Sequence, residues 1–111
     1  MLETTIDAQQ CGDIVAFAIR ITNPDDEDVE LSFSDSQRVR VVVYSTTEDE
    51  PRWRSDEDQL FMQMLGSQVI RAGDETIFEE TWGEPEPGEY RAVGEVVCSG
   101  RELRTETEFS V

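Results

Sequence analysis

Side chains that commonly carry out catalysis are largely missing from this chain of 111 residues. It has no histidine and no lysine, and all nine basic residues are arginine. Without histidine there is no Ser-His-Asp or Cys-His pair and no imidazole metal ligand. Without lysine there is no Schiff base and no phosphate-loop lysine. The groups left for chemistry are 26 carboxylates and two thiols.

The carboxylates show no spacing typical of a catalytic or metal site. Among 26 acidic residues some pair will lie close together by chance, so proximity alone indicates little. Residues 25–28 could hold calcium loosely, but they lack the spacing, the glycine and the distal glutamate of an EF-hand. Residues 34–37 lack the glycine that follows Asp-Ser/Thr in aspartic proteases. We therefore predict no catalytic residue, no cofactor and no metal, and the chain is not expected to be an enzyme.

The two thiols, Cys11 and Cys98, could be bridged or free. A disulfide closing so long a loop would stabilise the fold by about 4–5 kcal/mol in the loop-closure model. The alternative is a pair of small buried thiols in a reducing compartment. No CxxC spacing suggests metal binding or redox chemistry, and we expect two free, buried thiols.

The formal net charge of −17 bears on partners and location. It opposes nucleic-acid binding, which depends on neutralising phosphates. No run of 18 apolar residues could span a membrane, and the first residues lack the basic and apolar regions of a signal peptide. We therefore expect a cytoplasmic protein whose partner is another protein, with no nucleic acid and no membrane.

The acidic charge has two possible explanations. One is adaptation to molar salt, where the Debye length is about 3 Å and surface carboxylates hardly repel each other. The other is an acidic surface that binds a basic partner or mimics nucleic acid, which should concentrate the charge on one face. Because acidic residues occur in almost every segment, the first explanation is favoured, and we expect a halophilic protein.

Apolar residues alternate with polar ones along most of the chain, as β-strands require. This pattern predicts strands over residues 2–8, 13–22, 29–34, 38–43, 75–82, 89–98 and 103–111. Residues 45–58 read as a polar acidic connection, and residues 59–65 as irregular or a short helical turn. With no long helix, no repeat and no linker, residues 1–111 are predicted to form a single all-β domain. Its expected fold is an antiparallel β-sandwich of about seven to eight strands.

Several motifs, in this order, resemble the intracellular proteinase inhibitor family named BsuPI, an immunoglobulin-like sandwich. The matching segments are Ile19-Arg20-Ile21-Thr22-Asn23, Val29-Glu30-Leu31-Ser32-Phe33, Ser36-Gln37, Trp53-Arg54-Ser55, Phe61-Met62-Gln63, Ala72-Gly73-Asp74-Glu75 with Phe78 and Trp82, and Pro87-Gly88-Glu89-Tyr90. The sequence departs from the family pattern at Arg38, where an aromatic residue is usual, and at Ala72, where proline is usual. The resemblance implies inhibition of an intracellular, subtilisin-like serine protease. The alternative is a non-inhibitory protein–protein interaction module with the same fold.

Most motif residues are expected to be structural. Phe33, Phe78 and Tyr90 should lie in the core, and Tyr90 could bond a neighbouring loop as in a tyrosine corner. Gln37 could bond the backbone of its own loop.

The candidate partner-binding residues lie in residues 51–65 and in residues 83–88. Residues 51–65 combine apolar side chains with acidic flanks, which is typical of a binding patch but also of a segment that caps the core. If the chain inhibits a protease, residues 46–58 or 83–88 could present an extended loop whose prolines lower the ordering cost. The predicted contacts are Pro51, Arg52, Trp53, Arg54, Phe61, Met62, Met64, Pro85 and Pro87.

Overall fold

The computed structural model describes residues 1–48, 50–57 and 60–111, and nine β-strands lie within them. Their bounds are β1 Glu3–Cys11, β2 Ile14–Thr22, β3 Val29–Phe33, β4 Val39–Ser45, β5 Pro51–Arg54, β6 Gly66–Ile70, β7 Glu75–Gly83, β8 Glu89–Val96 and β9 Leu103–Ser110. All pairings among these strands are antiparallel. The predicted immunoglobulin-like β-sandwich is confirmed, with more strands than the seven or eight expected.

Two sheets form the layers of the sandwich. One has the strand order β1-β2-β7 and the other β5-β4-β8-β9, while β3 pairs with β6. Strand β2 is paired along its whole length with β7, from Thr22 opposite Glu75 to Ile14 opposite Gly83. The layers approach closely at Gly94 of β8, where an added β-carbon would lie 2.9 Å from the Cδ1 atoms of both Ile6 and Ile19. Glycine is therefore the residue that allows this contact.

The core follows from the alternation read in the sequence. Inward positions on β2, β4 and β8 are buried, and they are Val15, Phe17, Ile19, Ile21, Val39, Val41, Val43, Tyr90, Ala92, Gly94 and Val96. Phe33 and Tyr90 are buried as predicted, and Phe78 is partly buried against the same cluster. Burying such a continuous apolar set is the main force that stabilises a small sandwich.

Two short strands, β5 and β6, were not predicted. Residues 45–58 were expected to be a connection, but Trp53 pairs with Val43 and so extends the sheet by an edge strand. Pro51 is tolerated because it is the first residue of an edge strand, where no backbone donor is needed. Strand β6 lies just beyond residues 59–65, and its pattern of glycine, serine and glutamine is too weak to read from sequence. Residues 60–65 are irregular as predicted, while Gln59 lies outside the described residues.

The antiparallel pairing of β4 and β8 fixes which loops share an end of the sandwich. Val39 lies opposite Val96 and Ser45 opposite Tyr90, so the turn before β4 and the loop before β8 lie at opposite ends. The seven residues of β4 separate those ends by about 23 Å. We call the end with residues 12–13 and 84–88 the acidic end, where the Glu84 N–H donates to the Asp13 carbonyl at 3.0 Å. We call the end with residues 34–38 the Ser36 end.

Asn23 links the chain that leaves β2 to the turn before β7. Its side chain is fully buried, and Nδ2 donates to the Glu27 carbonyl at 2.8 Å and to the Ile70 carbonyl at 2.9 Å. Its Oδ1 accepts from the Asp25 N–H at 3.1 Å. The Asn23 backbone also exchanges hydrogen bonds with residues 73 and 74. One buried amide therefore makes three hydrogen bonds, two within the loop that follows β2 and one to the end of β6.

Candidate functional site

The structure separates the predicted contact residues into two groups. Strand β5 and the loop carrying Pro85 and Pro87 lie near the acidic end, because Arg52 lines a cavity of about 240 Å³ together with Glu84 and Glu86. Phe61, Met62 and Met64 lie at the Ser36 end, since Met62 is hydrogen-bonded to Ser36. A single surface formed by all nine residues is not present.

Trp53 faces the core and not a solvent-exposed patch. Its ring stacks on Phe17 at a centroid distance of 5.8 Å and on Trp82 at 6.0 Å. Trp82 then contacts Tyr90, Tyr90 contacts Phe109, and Phe109 contacts Phe17, which closes a ring of five aromatic side chains. These side chains come from β2, β5, β7, β8 and β9, so they join both sheets. Such aromatic pairs stabilise a core beyond the area they bury.

The other members of β5 are exposed and held by ion pairs. Arg52 pairs with Glu48 at 3.1 Å, and Arg54 pairs with Asp56 at 3.3 Å, while Pro51 is exposed at the start of the strand. Exposed pairs of this kind contribute little to stability. Arg52 and Arg54 are two of the exposed cationic groups on a surface that carries more carboxylates than arginines.

Asp56 lies between two guanidinium groups just after β5. Its carboxylate accepts from Arg40 Nε at 2.7 Å and from Arg54 Nε at 3.3 Å, with 15% of the side chain exposed. Burial raises the pKa of Asp56, but the hydrogen bonds and positive charges of Arg40 and then Arg54 outweigh it, so the pKa lies below its ordinary value. Burial, and then the charge of Asp56, raise the pKa of Glu80. The ion pairs therefore secure the chain after β5 to β4.

We expect Asp56→Asn to lower the free energy of unfolding by about 1 kcal/mol at pH 7. A depressed native pKa stabilises the fold above the unfolded-state pKa of about 4, and that stabilisation is lost as the pH falls through the native value. The difference from wild type should therefore shrink below pH 4. Denaturant titrations from pH 3 to 7 measure it, with Glu57→Gln at the exposed neighbour as control. A difference that stays constant with pH would contradict this role of Asp56.

The loop between β7 and β8 is anchored by Tyr90. The Tyr90 hydroxyl donates to the Glu86 carbonyl at 2.6 Å, four residues earlier in the chain, as predicted for a tyrosine corner. Gly88 exchanges two backbone hydrogen bonds with Val111, which fixes the end of the loop. The loop presents Pro85 and Pro87 beside the carboxylates of Glu84 and Glu86. Two further cavities lie at the same end of the sandwich. Its surface is dominated by negative charge.

Residues 60–65, which we call the apolar segment, lie at the Ser36 end. The backbone N–H of Met62 donates to Ser36 Oγ at 2.9 Å, and the Met62 carbonyl accepts from the Ser36 N–H at 2.9 Å. Phe61 is half-buried, while the other apolar side chains are exposed, namely Leu60, Met62, Met64 and Leu65. The segment therefore presents apolar side chains from a backbone that is fixed to the scaffold.

Sequence reasoning misses two contributors to this segment. The sequence places Ser36 only in a turn, and Arg38 stands out only as a departure from the family pattern. The Arg38 guanidinium lies 4.3 Å from the centre of the Phe33 ring and donates to the Asp35 carbonyl at 2.7 Å. Gln37 is buried and donates to the Val39 carbonyl at 3.4 Å, as predicted for a residue that bonds its own loop. No local sequence pattern predicts that Ser36 bonds with Met62, which lies 26 positions later.

The two cysteines are free and lie at opposite ends of the sandwich. Cys11 ends β1 near the acidic end, and Cys98 follows β8 at the Ser36 end. The expectation of two free thiols is confirmed, but the expectation that both are buried is wrong because Cys11 is exposed. Cys98 is partly buried, and this burial raises the pKa of its thiol.

Within residues 1–48, 50–57 and 60–111, no group of three cysteine, aspartate or glutamate side chains is arranged to hold a metal ion. Nor does this part of the chain contain a helix with the length and apolar character needed to cross a bilayer.

Most of the sequence matches the model of a known protein family. A family model described as intracellular proteinase inhibitor, BsuPI, matches residues 2–101. No curated protein sequence is significantly similar to the chain.

Comparison with solved structures supports the fold. The chain superposes over 99% of its length on 93% of the CARDB domain of a Pyrococcus furiosus protein, with a TM-score of 0.51 and 12% identity. It is similar to R. palustris CsgH with a TM-score of 0.51 and 13% identity, covering 97% of this chain and 92% of that one. A β-glucosidase from Kluyveromyces marxianus matches with a TM-score of 0.55 and 16% identity over the whole chain, which spans only 14% of that enzyme. Identities this low establish a shared fold and nothing further.

Proposed function

Because the chain belongs to the BsuPI family of intracellular proteinase inhibitors, we propose that it binds and inhibits a subtilisin-like serine protease in the cytoplasm. The observation that carries this proposal is the family match over residues 2–101, which spans all but the last of the nine strands. Residues 1–111 act in it as one domain. Its role is that of an inhibitor and not of an enzyme.

Inhibition by such a domain requires a loop that fits the protease cleft and stays there. A loop held in its bound conformation by the scaffold loses little conformational entropy on binding, so more of the contact energy appears as affinity. A sheet scaffold with loops fixed by side-chain hydrogen bonds meets that requirement. The bonds from Tyr90 to Glu86 and between Ser36 and Met62 are two such fixings in this chain.

The proposal is tested by measuring protease activity with the purified chain added. We expect micromolar or lower concentrations to slow cleavage of a chromogenic peptide by an intracellular subtilisin-like serine protease. A metalloprotease serves as the control for class specificity. Because the fold is proposed to depend on salt, the assay is run in molar salt with a protease active there. Failure to slow any serine protease at micromolar concentration would overturn the proposal.

The second candidate is a non-inhibitory interaction module. The exposed apolar segment favours it, because such a surface suits any protein partner with a complementary groove. Affinity capture from the organism's own cytoplasm discriminates between the two. Reproducible recovery of one partner that is not a protease, together with no inhibition, would favour the module.

We also propose that the acidic surface is an adaptation to molar salt. Exposed carboxylates recur along several strands, including Glu3 and Asp7 of β1, Glu30 of β3 and Glu79 of β7. This spread is expected for a surface kept hydrated in salt and not for a nucleic-acid mimic. Every cation is an arginine, which pairs bidentately with carboxylates where lysine cannot.

Lowering the salt from 2 M to 0.1 M is therefore expected to lower the melting temperature by roughly 10 °C. The Debye length grows from a few Å to about 10 Å, so carboxylates that were screened begin to repel each other. A loss of about 2 kcal/mol corresponds to a shift of that size in a domain of this length. Thermal denaturation followed by circular dichroism measures it.

Two controls accompany the melting experiment. A variant with Glu3→Gln, Glu30→Gln and Glu79→Gln should show a shallower dependence on salt, because it removes three exposed negative charges. Equal osmolarity of sucrose separates screening from a general exclusion of cosolute. A melting temperature that does not change with salt contradicts the adaptation.

A further inference from the structure

The apolar segment exposes far more hydrophobic surface than a core-capping loop needs. The exposed fractions are 101% for Leu60, 65% for Met62, 56% for Met64 and 86% for Leu65. Several large apolar side chains exposed together in a short stretch mark an interaction surface more often than a structural one.

The sequence of the segment also carries no charged side chain. Residues 59–70 form the longest uncharged run in a chain in which 32% of residues are charged. Every other stretch of the sequence without a charged residue is shorter. An uncharged apolar stretch is suited to a dry apolar cleft and unsuited to solvent, whatever the salt concentration.

The backbone of the segment is fixed on both sides of residues 63–65. On one side Met62 is held by its two hydrogen bonds to Ser36, and Met64 N–H donates to the Met62 carbonyl at 2.9 Å. On the other side Gly66 begins β6 opposite Phe33. The Arg38 guanidinium covers Gly66 so closely that an added β-carbon would lie 2.7 Å from its Nη2. Two exposed apolar side chains, Met64 and Leu65, therefore project from a span of three residues between two anchors.

We propose that residues 62–65 are the part of this chain that enters the protease cleft, with the Leu65 side chain in the primary specificity pocket. This inference rests on the proposed inhibitory function and names its contact. Leu65 is the more exposed of the two side chains and precedes the anchored Gly66. The partner is accordingly a serine protease whose primary pocket is apolar and takes an unbranched or γ-branched side chain.

The two loops expected from sequence are less suited to this contact. Trp53, the apolar residue of the first loop, is committed to the aromatic ring in the core. The second loop carries Glu84 and Glu86 beside its prolines and lies at the acidic end, about 23 Å from the segment along β4. An apolar pocket has no partners for these carboxylates, and burying an unpaired charge is costly.

The decisive experiment measures inhibition constants for wild type and for single variants against one inhibited protease. We expect Leu65→Asp and Met64→Asp to raise the inhibition constant, Leu65→Asp by about 30-fold or more, as for a leucine withdrawn from an apolar pocket. Ile77→Asp, an exposed apolar position on β7, is the matched control and should change it less than threefold. Arg52→Glu tests the acidic end and should likewise have little effect. Melting temperatures of all variants confirm that each is folded.

Ser36, which positions the segment through its hydrogen bond with Met62, allows a second test. Ser36→Ala removes the hydroxyl that accepts from the Met62 N–H, so the segment should be less rigid while its side chains remain. We expect weaker inhibition together with faster cleavage of the chain between residues 62 and 66, detected by mass spectrometry. Ser34→Ala in the same turn is the matched control.

Each other outcome counts against the inference in a distinguishable way. If wild type inhibits but the two segment variants are unaffected, the segment assignment is wrong and the inhibitory function stands. If wild type inhibits no protease, both are wrong. If the chain dimerises in sedimentation experiments and Leu65→Asp makes it monomeric without changing inhibition, the segment binds a second copy of this chain.

Discussion

Replacing Trp53 with alanine is expected to lower the free energy of unfolding by about 3 kcal/mol. The indole stacks on Phe17 and Trp82, and its loss opens the ring of five aromatic side chains that joins both sheets. The edge strand β5 would also lose the aromatic side chain that packs it against the core, since its neighbours Arg52 and Arg54 are exposed. Denaturant titration followed by circular dichroism in molar salt measures the loss.

Two variants separate packing from other effects at this position. Trp53→Phe keeps an aromatic face between Phe17 and Trp82 and should retain most of the stability. Arg52→Ala alters the adjacent exposed residue and should change the free energy of unfolding by less than about 0.5 kcal/mol. A loss below 1 kcal/mol for Trp53→Ala would mean that the aromatic ring does not support β5 as described.

Asn23→Ala is expected to be comparably destabilising, by about 3 kcal/mol, although it removes only a small polar group. The substitution leaves the carbonyls of Glu27 and Ile70 and the N–H of Asp25 without their partner. A buried polar group left unsatisfied costs about 1–3 kcal/mol, and the Ile70 carbonyl is bonded in a buried position. Equilibrium unfolding of the variant and of wild type gives the difference.

A negative charge placed at position 23 tests the same role of the buried amide more sharply. Asn23→Asp keeps the acceptor but replaces the donor by a carboxylate in a fully buried position. Its instability at pH 7 should be at least as large as that of Asn23→Ala and should diminish in acid, where the carboxyl is protonated. Asp26→Asn in the exposed part of the same loop serves as the control. A neutral effect of Asn23→Ala would refute the role assigned to the amide.

Most of the fold could be predicted from sequence because long strands alternate regularly between core and solvent. Strands β2, β4, β8 and β9 carry enough apolar residues on one face to identify both the strand and its buried side. The short strands β5 and β6 could not be identified from their own patterns. Strand β5 has four residues and only one apolar side chain that packs on the core, and β6 pairs with β3, from which β4 and β5 separate it in the sequence.

The candidate site was only partly predictable for a related reason. Composition indicated that residues 51–65 contain both apolar and charged side chains, but it could not show which side chains turn inward. Pairing of Trp53 with Val43, next to a register shift at Val43/Tyr44, directs the indole toward Phe17, and no local signal encodes that register. The bonds between Ser36 and Met62 likewise join residues far apart in sequence.

The pairing of β2 with β7 has a consequence for synthesis on the ribosome. The hairpin of β1 and β2 can form early, but Thr22 meets Glu75 only after 53 further residues have been made. At about 5–20 residues per second, one edge of β2 waits roughly 3–10 s for its partner strand. During that interval the backbone N–H and C=O groups along one edge of β2 are unpaired, and an open strand edge is a template for aggregation. Nascent chains of this domain are therefore expected to need shielding between the emergence of β2 and that of β7.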